Sequence, residues 1–279
     1  MSMDYLKHKD RDLELPAYQK ILKDSIEQDL LKDDRVLGLF YGGSIGSEST
    51  DLYSDIDLRV VVSPEYFEEC ISNKKVRPQN WGHVLFYEDP GPSVPYTIAH
   101  FDCFVKVDVF YFTPEQIKPS IWLKDIHIVK DLKGDLTEVL NESINLVYKP
   151  TKEDVESWRN KFLAHFHESY RRVMRGEYYY ALNCVDSMRH MIVSGWYMKQ
   201  GVQPNTLGDW AKYEGERSEL DSWQQSLLEG WECGRSKKEI MTVRRSLAEE
   251  FKVVHRALFD QVGVIEESEL IDQAINIAI

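Results

Sequence analysis

Asp55 and Asp57 stand two residues apart at the mouth of an apolar, β-branched run, residues 56–62. In a strand, side chains at i and i+2 leave the same face, so the two carboxylates project together. Carboxylates held side by side repel, and a divalent cation with oxygen ligands, Mg²⁺ or Mn²⁺, relieves that repulsion. Taken alone, such a pair is better explained by one aspartate capping a turn while the other is solvated, because the pattern is common by chance. Two further features add to the pair. Gly42-Gly43-Ser44 closes an earlier apolar run. Glycines there let backbone N–H groups approach a phosphate, and the Ser44 hydroxyl offers another donor. Asp108 stands in Val107-Asp108-Val109, inside a run that is otherwise apolar. A carboxylate is costly to bury in such a strand unless it is paired or metal-bound. Asp102 competes for the role of third carboxylate, but it follows His100 near a strand boundary and reads as a turn residue. Lys106 shares a strand face with Asp108, where it either touches a phosphate or neutralises the acidic cluster.

The order of these pieces resembles the polymerase-β nucleotidyltransferase superfamily: a strand, Gly42-Gly43-Ser44, a spacer, Asp55-Ile56-Asp57 opening a strand, and a later strand with Asp108 at its centre. The resemblance implies a mixed sheet backed by helices and two metal ions held by carboxylates. It implies attack of an acceptor hydroxyl on the α-phosphate of a nucleoside triphosphate, with release of pyrophosphate. By position, Gly42, Gly43 and Ser44 would hold the triphosphate. Asp55 and Asp57 would ligate metal, and Asp108 would ligate one metal and help deprotonate the acceptor. The co-substrate is expected to be ATP or another nucleoside triphosphate, with Mg²⁺ or Mn²⁺. Two cations that clamp the attacking and leaving oxygens suit this chemistry.

The elements that must position these residues follow from periodicity. Residues 4–33 carry Leu15, Tyr18, Ile21, Leu22, Ile26 and Leu30 at helical steps, which predicts an amphipathic helix. Strands are expected at 36–41, 56–62, 81–87, 96–101, 104–112 and 126–129, the last closed by a turn at Lys133-Gly134-Asp135. Residues 64–71 read as a helix with Ser63 as cap and Pro64 in its first turn. After Pro150 the period changes from two to 3.6. Thr151 and Asp154 form a capping-box-like start, followed by helices near 151–173, 178–199, 206–213, 220–231 and 237–261 and a short tail helix after Glu266. The expected class is α+β: a nucleotidyltransferase mixed sheet with helices over residues 1–150, then an all-α helical bundle over 151–279.

The stretch ALNCVDSMRHMIVSGWYMKQGVQPNTLGDWAKYEG, beginning at Ala181, is similar to the second domain of streptomycin/spectinomycin-type aminoglycoside adenylyltransferases. That likeness implies a small, aminoglycoside-like acceptor bound by the helical domain, with antibiotic resistance as a consequence. In some relatives a glutamate of this domain is the base; Glu177 and Asp186 are candidates here, each more readily read as a solvated helix residue. Arg189 is a candidate for reaching the triphosphate. Trp210 and Asp209 are candidates for the acceptor; Tyr178, Tyr179 and Tyr180 offer a lining for an acceptor pocket, but aromatic residues in a helical domain are more often core. His165 and His167, two apart on a helix, face different ways and do not chelate together.

Composition narrows the classes further. The formal net charge over 279 residues is −13, which argues against a nucleic-acid partner, since such affinity comes largely from neutralising phosphates. An acidic surface suits a cationic acceptor, and it equally serves solubility. No apolar run reaches the roughly 18 residues of a membrane span, and the first residues show no secretory signal. Cys70, Cys103, Cys184 and Cys233 form no CxxC pair and read as free thiols of a cytoplasmic protein, not as a disulfide framework or zinc site. Two rival readings stay open: a toxin–antitoxin-type enzyme that modifies a protein or RNA, and a nucleotide-binding regulator with an inactive site.

Overall fold

Alternation of buried and half-exposed residues builds the first sheet. In β2 (Ile56–Val62) and β5 (Lys106–Phe112), Ile56, Leu58 and Val60 and then Val107, Val109 and Tyr111 are buried, and the residues between them are not. β4 (Tyr96–Phe101) continues the pattern through Thr97, Ala99 and Phe101. The buried side packs with Leu15, Leu22, Ile26 and Leu30 of α1 (Lys9–Leu30) in one apolar cluster. On the other side Phe40 and Val61 pack with Ile126 and Leu136, and Asp57, Arg59, Lys106 and Asp108 are half-buried. With β1 (Val36–Tyr41), β3 (Val84–Glu88) and β6 (His127–Asp131), the strand order is β3-β4-β5-β2-β1-β6. β2 and β5 are parallel and the other neighbours antiparallel, so the sheet is mixed and the class is α+β. The computed structural model describes residues 7–264 and 268–279.

The chain folds as two compact units, residues 1–146 and 147–279. Several elements of the first differ from expectation. α1 starts at Lys9, residues 4–6 lie outside the described residues, and Ile21 is exposed although its spacing fits the buried stripe. Trp81 does not enter β3. It closes a 3₁₀ turn, Arg77–Asn80, and its indole Nε1 donates to Asp29 at 2.8 Å, a bond that a strand would break. Phe104 has φ 65° in the β4–β5 turn, so β5 opens at Lys106. Residues 64–71 split into a 3₁₀ turn, Pro64–Tyr66, and α3 (Phe67–Ser72), and the Ser63 side chain caps neither. α4 (Asp135–Ile144) is absent from the expected elements, which stop at the turn, although Leu136, Val139, Leu140 and Ile144 stand at helical spacing. Gly134, at φ 82°, turns the chain into it, and Asp131 carboxylate oxygens accept from the Leu136 and Thr137 N–H groups.

In the second unit the capping box forms: Asp154 N–H donates to Thr151 Oγ1 at 3.1 Å and Thr151 N–H to Asp154 Oδ2 at 2.9 Å. It starts α5 (Lys152–Met174), which packs with α6 (Tyr178–Lys199), α7 (Ser222–Glu229), α8 (Lys237–Gln261) and α9 (Ser268–Asn276). Trp158, Phe162, Ile192, Trp196 and Phe251 lie in the core. Arg244 is fully buried there, and its guanidinium donates to Ser169 Oγ and to the Phe166 and Ala278 carbonyls. Residues 206–213 are not helical. Lys212 has φ 62°, and Asn205 Nδ2 donates to the Ala211 carbonyl at 2.8 Å, so side-chain bonds replace the helical ladder. Among the described residues no helix is long and apolar enough to cross a membrane, and all four cysteines are free thiols.

Candidate active site

The polar face of the sheet gathers the acidic residues. Asp57 on β2 and Asp108 on β5 are register partners in the parallel pair, and the same pairing carries Arg59 opposite Phe110. Asp55 precedes β2 by one residue, at the end of a loop fixed from two sides. The Asp51 N–H donates to Ser54 Oγ at 2.9 Å, and Gln19 of α1 donates through Nε2 to the Ser54 carbonyl at 2.9 Å. Thus α1 serves both the core and the delivery of Asp55.

The Gly42-Gly43-Ser44 segment sits directly on Asp57. The Gly42 N–H donates to the Asp57 carbonyl at 3.0 Å, which extends the β1–β2 ladder past the end of β1. A short helical turn, α2 (Gly43–Gly46), follows, with Gly43 at φ 54°. A Cβ at Gly43 would stand 1.9 Å from Asp57 Oδ2, so only glycine fits. Ser44 is buried, and its Oγ has no hydrogen-bond partner among the described residues. Gly43→Ala should therefore lower the thermal midpoint, since a left-handed L-residue alone costs roughly 1–2 kcal/mol and the methyl also strikes Asp57. Gly42→Ala, whose methyl meets nothing within 4 Å, should melt like wild type. Equal midpoints for all three proteins would contradict this geometry.

Charge at the site is nearly balanced by side chains of the same face. Lys106 Nζ lies 2.9 Å from Asp55 Oδ2 and 3.1 Å from Asp108 Oδ2, and Arg59 Nη2 lies 3.4 Å from Asp57 Oδ1. Burial pushes the Asp57 carboxyl above its ordinary range, helped by the neighbouring Asp55 and opposed by Arg59. Burial raises Asp108 too, against the pull of Lys106. For Lys106, burial favours the neutral amine, but Asp55 and Asp108 outweigh it and lift the ammonium to about 12. Sequence reasoning misses Arg59, although the alternation that joins Asp55 and Asp57 reaches it as well.

Three carboxylates offer the hard oxygen donors that Mg²⁺ or Mn²⁺ takes. One of those oxygens, Asp108 Oδ1, is buried with no hydrogen-bond partner among the described residues. On both counts the donor set fits a divalent cation. Among the described residues no three acidic, histidine or cysteine side chains already form a metal cage. Lys106 stands between two of the three carboxylates instead.

The other residues singled out are placed elsewhere. Asp102 lies in the exposed β4–β5 turn, where its carboxylate meets His83 Nδ1 at 3.1 Å. Glu177 pairs with Arg172, and Asp186 accepts from Trp210 Nε1 at 3.3 Å. The Arg189 guanidinium donates to the Trp231 carbonyl. His167 Nε2 bonds the Ala274 carbonyl at 2.5 Å, whereas His165 Nε2 is buried with no partner among the described residues.

No protein-family model and no curated protein matches the chain. Among solved structures, the chain is similar to an aminoglycoside 6-adenyltransferase from Bacillus subtilis, at 12% identity and a TM-score of 0.44, with 92% of this chain and 94% of that one covered. It is also similar to a nucleotidyltransferase-like protein from Exiguobacterium sibiricum, at 14% identity and a TM-score of 0.43, over 87% of this chain and 78% of that one. Likeness at this level carries no weight for activity, which rests on the residues of the site.

Proposed function

We propose that the chain is a metal-dependent nucleotidyltransferase that moves a nucleoside monophosphate, AMP from ATP, onto a hydroxyl of a small cationic acceptor and releases pyrophosphate. The observation that carries this reading is the pairing of Asp57 with Asp108 across parallel strands, beside a glycine turn that touches Asp57 and holds an unpartnered, buried Ser44 hydroxyl. Asp55, Asp57 and Asp108 would hold Mg²⁺ or Mn²⁺. Such ions, when bound, neutralise charge that develops on the phosphoryl group. Gly43 keeps the turn close to Asp57, and Ser44 Oγ–H donates to a phosphate oxygen. Asp108, whose Oδ1 has no hydrogen-bond partner among the described residues and whose carboxyl is lifted by burial, accepts the proton of the acceptor hydroxyl.

The helical unit supports a cationic acceptor by its charge. It bears an open hollow of about 620 Å³ lined by Asp186, Glu214, Glu229 and Glu232 with Trp210 and a single cation, Arg189. An excess of carboxylates there favours a polyamine-like ligand over a nucleic acid. An aminoglycoside-like acceptor would make resistance a consequence of the activity. A toxin–antitoxin-type enzyme is less well supported, because the helical unit is part of this chain. The intact set Ser44, Asp55, Asp57 and Asp108 speaks against an inactive regulator.

A screen of nucleoside triphosphates and amine-bearing acceptors for Mg²⁺-dependent pyrophosphate release tests the proposal; release with no pair of substrates would reject it. Ser44→Ala should weaken triphosphate binding by about 1–2 kcal/mol, roughly five- to thirtyfold, for the loss of one charge-assisted hydrogen bond. Isothermal titration with a non-hydrolysable triphosphate measures it, and an unchanged affinity would remove the loop from phosphate binding.

A further inference from the structure

One ammonium joins two of the three carboxylates. Lys106 opens β5 two residues before Asp108, on the same face. Ile56 pairs with Val107, so one residue earlier on each strand Asp55 lies beside Lys106. The resulting contacts, 2.9 Å to Asp55 and 3.1 Å to Asp108, are the closest cation contacts in the acidic cluster. Of the three carboxylates Arg59 meets Asp57, at 3.4 Å, and its guanidinium also donates to the Leu58 carbonyl and is held over the Phe110 ring. Among the described residues the Lys106 ammonium makes no hydrogen bond or ion pair beyond these two carboxylates, and its side chain is about one-third exposed. It can therefore swing out of the cluster, as a lysine on a flexible stem does readily.

We propose that Lys106 is a built-in competitor of the metal: its ammonium holds Asp55 and Asp108 in the free protein and leaves them when a divalent cation binds. Like charges cannot share the two carboxylates at these distances. Metal binding without nucleotide is therefore weak, because it must first displace Lys106. The displaced ammonium is then available to a triphosphate, the nearest strong anion the reaction supplies. Metal and nucleotide consequently strengthen each other's binding, and the coupling runs through one side chain. This inference rests on the metal-dependent reading above and extends it to the order in which the ligands assemble.

The test uses the full chain and Mn²⁺ alone, with the free ion followed by electron paramagnetic resonance. Lys106→Met should bind Mn²⁺ at least tenfold more tightly than wild type, while Lys106→Arg, which keeps the charge, should stay within about threefold of it. Adding a non-hydrolysable ATP analogue should tighten Mn²⁺ strongly in wild type and much less in Lys106→Met. A merely structural lysine would give the opposite sign, with weaker metal binding on removal. If Lys106→Met does not fold, Lys106→Gln carries the same expectation, since it retains a donor to the carboxylates without the charge. Unchanged or weaker Mn²⁺ affinity in the neutral variant overturns the proposal. If wild type still binds Mn²⁺ with the analogue and Asp57→Asn does not, that failure falls on Lys106 alone. If no protein binds Mn²⁺ with or without the analogue, the metal reading fails with it.

Discussion

Asp57→Asn will lower turnover by about 10³-fold or more, the loss expected when a metal clamp worth several kcal/mol is removed, while the metal-free protein melts at or above the wild-type temperature. The second half follows from electrostatics. Asp57 is held above its ordinary range chiefly by burial, with Asp55 adding to the effect. A carboxyl raised in the folded state contributes its full stability below its unfolded pKa and loses it as pH rises through the folded one. At neutral pH the ionised group is therefore a burden on the free protein, and asparagine removes it. The contact with Arg59 that is lost in exchange is long and partly exposed, a kind of pair worth little. Pyrophosphate release and thermal melting in chelator, measured on one preparation, check both halves. Near-wild-type turnover, or a clear drop in melting temperature, would contradict the assignment.

Asp108→Ala is expected to cut kcat by about 10²-fold or more while triphosphate affinity stays within about threefold, because its work is done mainly in the transition state. Ser44, Gly43 and the Asp55/Asp57 pair would still hold the nucleotide. Asp102→Ala, in an exposed turn against His83, should leave kcat within about twofold. Single-turnover kinetics with saturating Mg²⁺ and nucleotide separate the two. The shared upward shift of Asp57 and Asp108 in the metal-free protein also predicts that its affinity for the metal begins to fall, on acidification, above the ordinary aspartate range, since ligands must be ionised to hold metal. Collapse in Asp102→Ala with full activity in Asp108→Ala would move the third carboxylate to the turn.

The strands that position the candidate site are readable because their two faces differ. Residues 36–41, 56–62 and 96–101 alternate or run apolar cleanly, and β1, β2 and β4 have those bounds. What is not readable depends on particular side-chain contacts, one of them far along the chain. Trp81 looks like a strand residue until its indole meets Asp29, 52 positions away. The turn at residues 133–135 hides a helix whose start is satisfied by Asp131. Around residues 206–213 apolar spacing suggests a helix, yet Asn205 and the left-handed Lys212 hold another path. In the candidate site, the pairing of Asp57 with Asp108 needs the parallel register, which no local pattern encodes. The contact of Gly43 with Asp57 is likewise a tertiary fact, although the glycine itself marks the place. Lys106 is visible as a neighbour of Asp108 on one strand face, but its bond to Asp55 requires both strands.

The most direct measurement follows the fate of the α-phosphate. With ATP labelled at that position, an amine-bearing acceptor and Mg²⁺, label should appear covalently on the acceptor in step with pyrophosphate, and both should vanish with chelator or in Asp57→Asn. Release of the γ-phosphate alone, or label transfer that persists undiminished in chelator and in Asp57→Asn, would contradict a metal-dependent nucleotidyl transfer carried by these carboxylates.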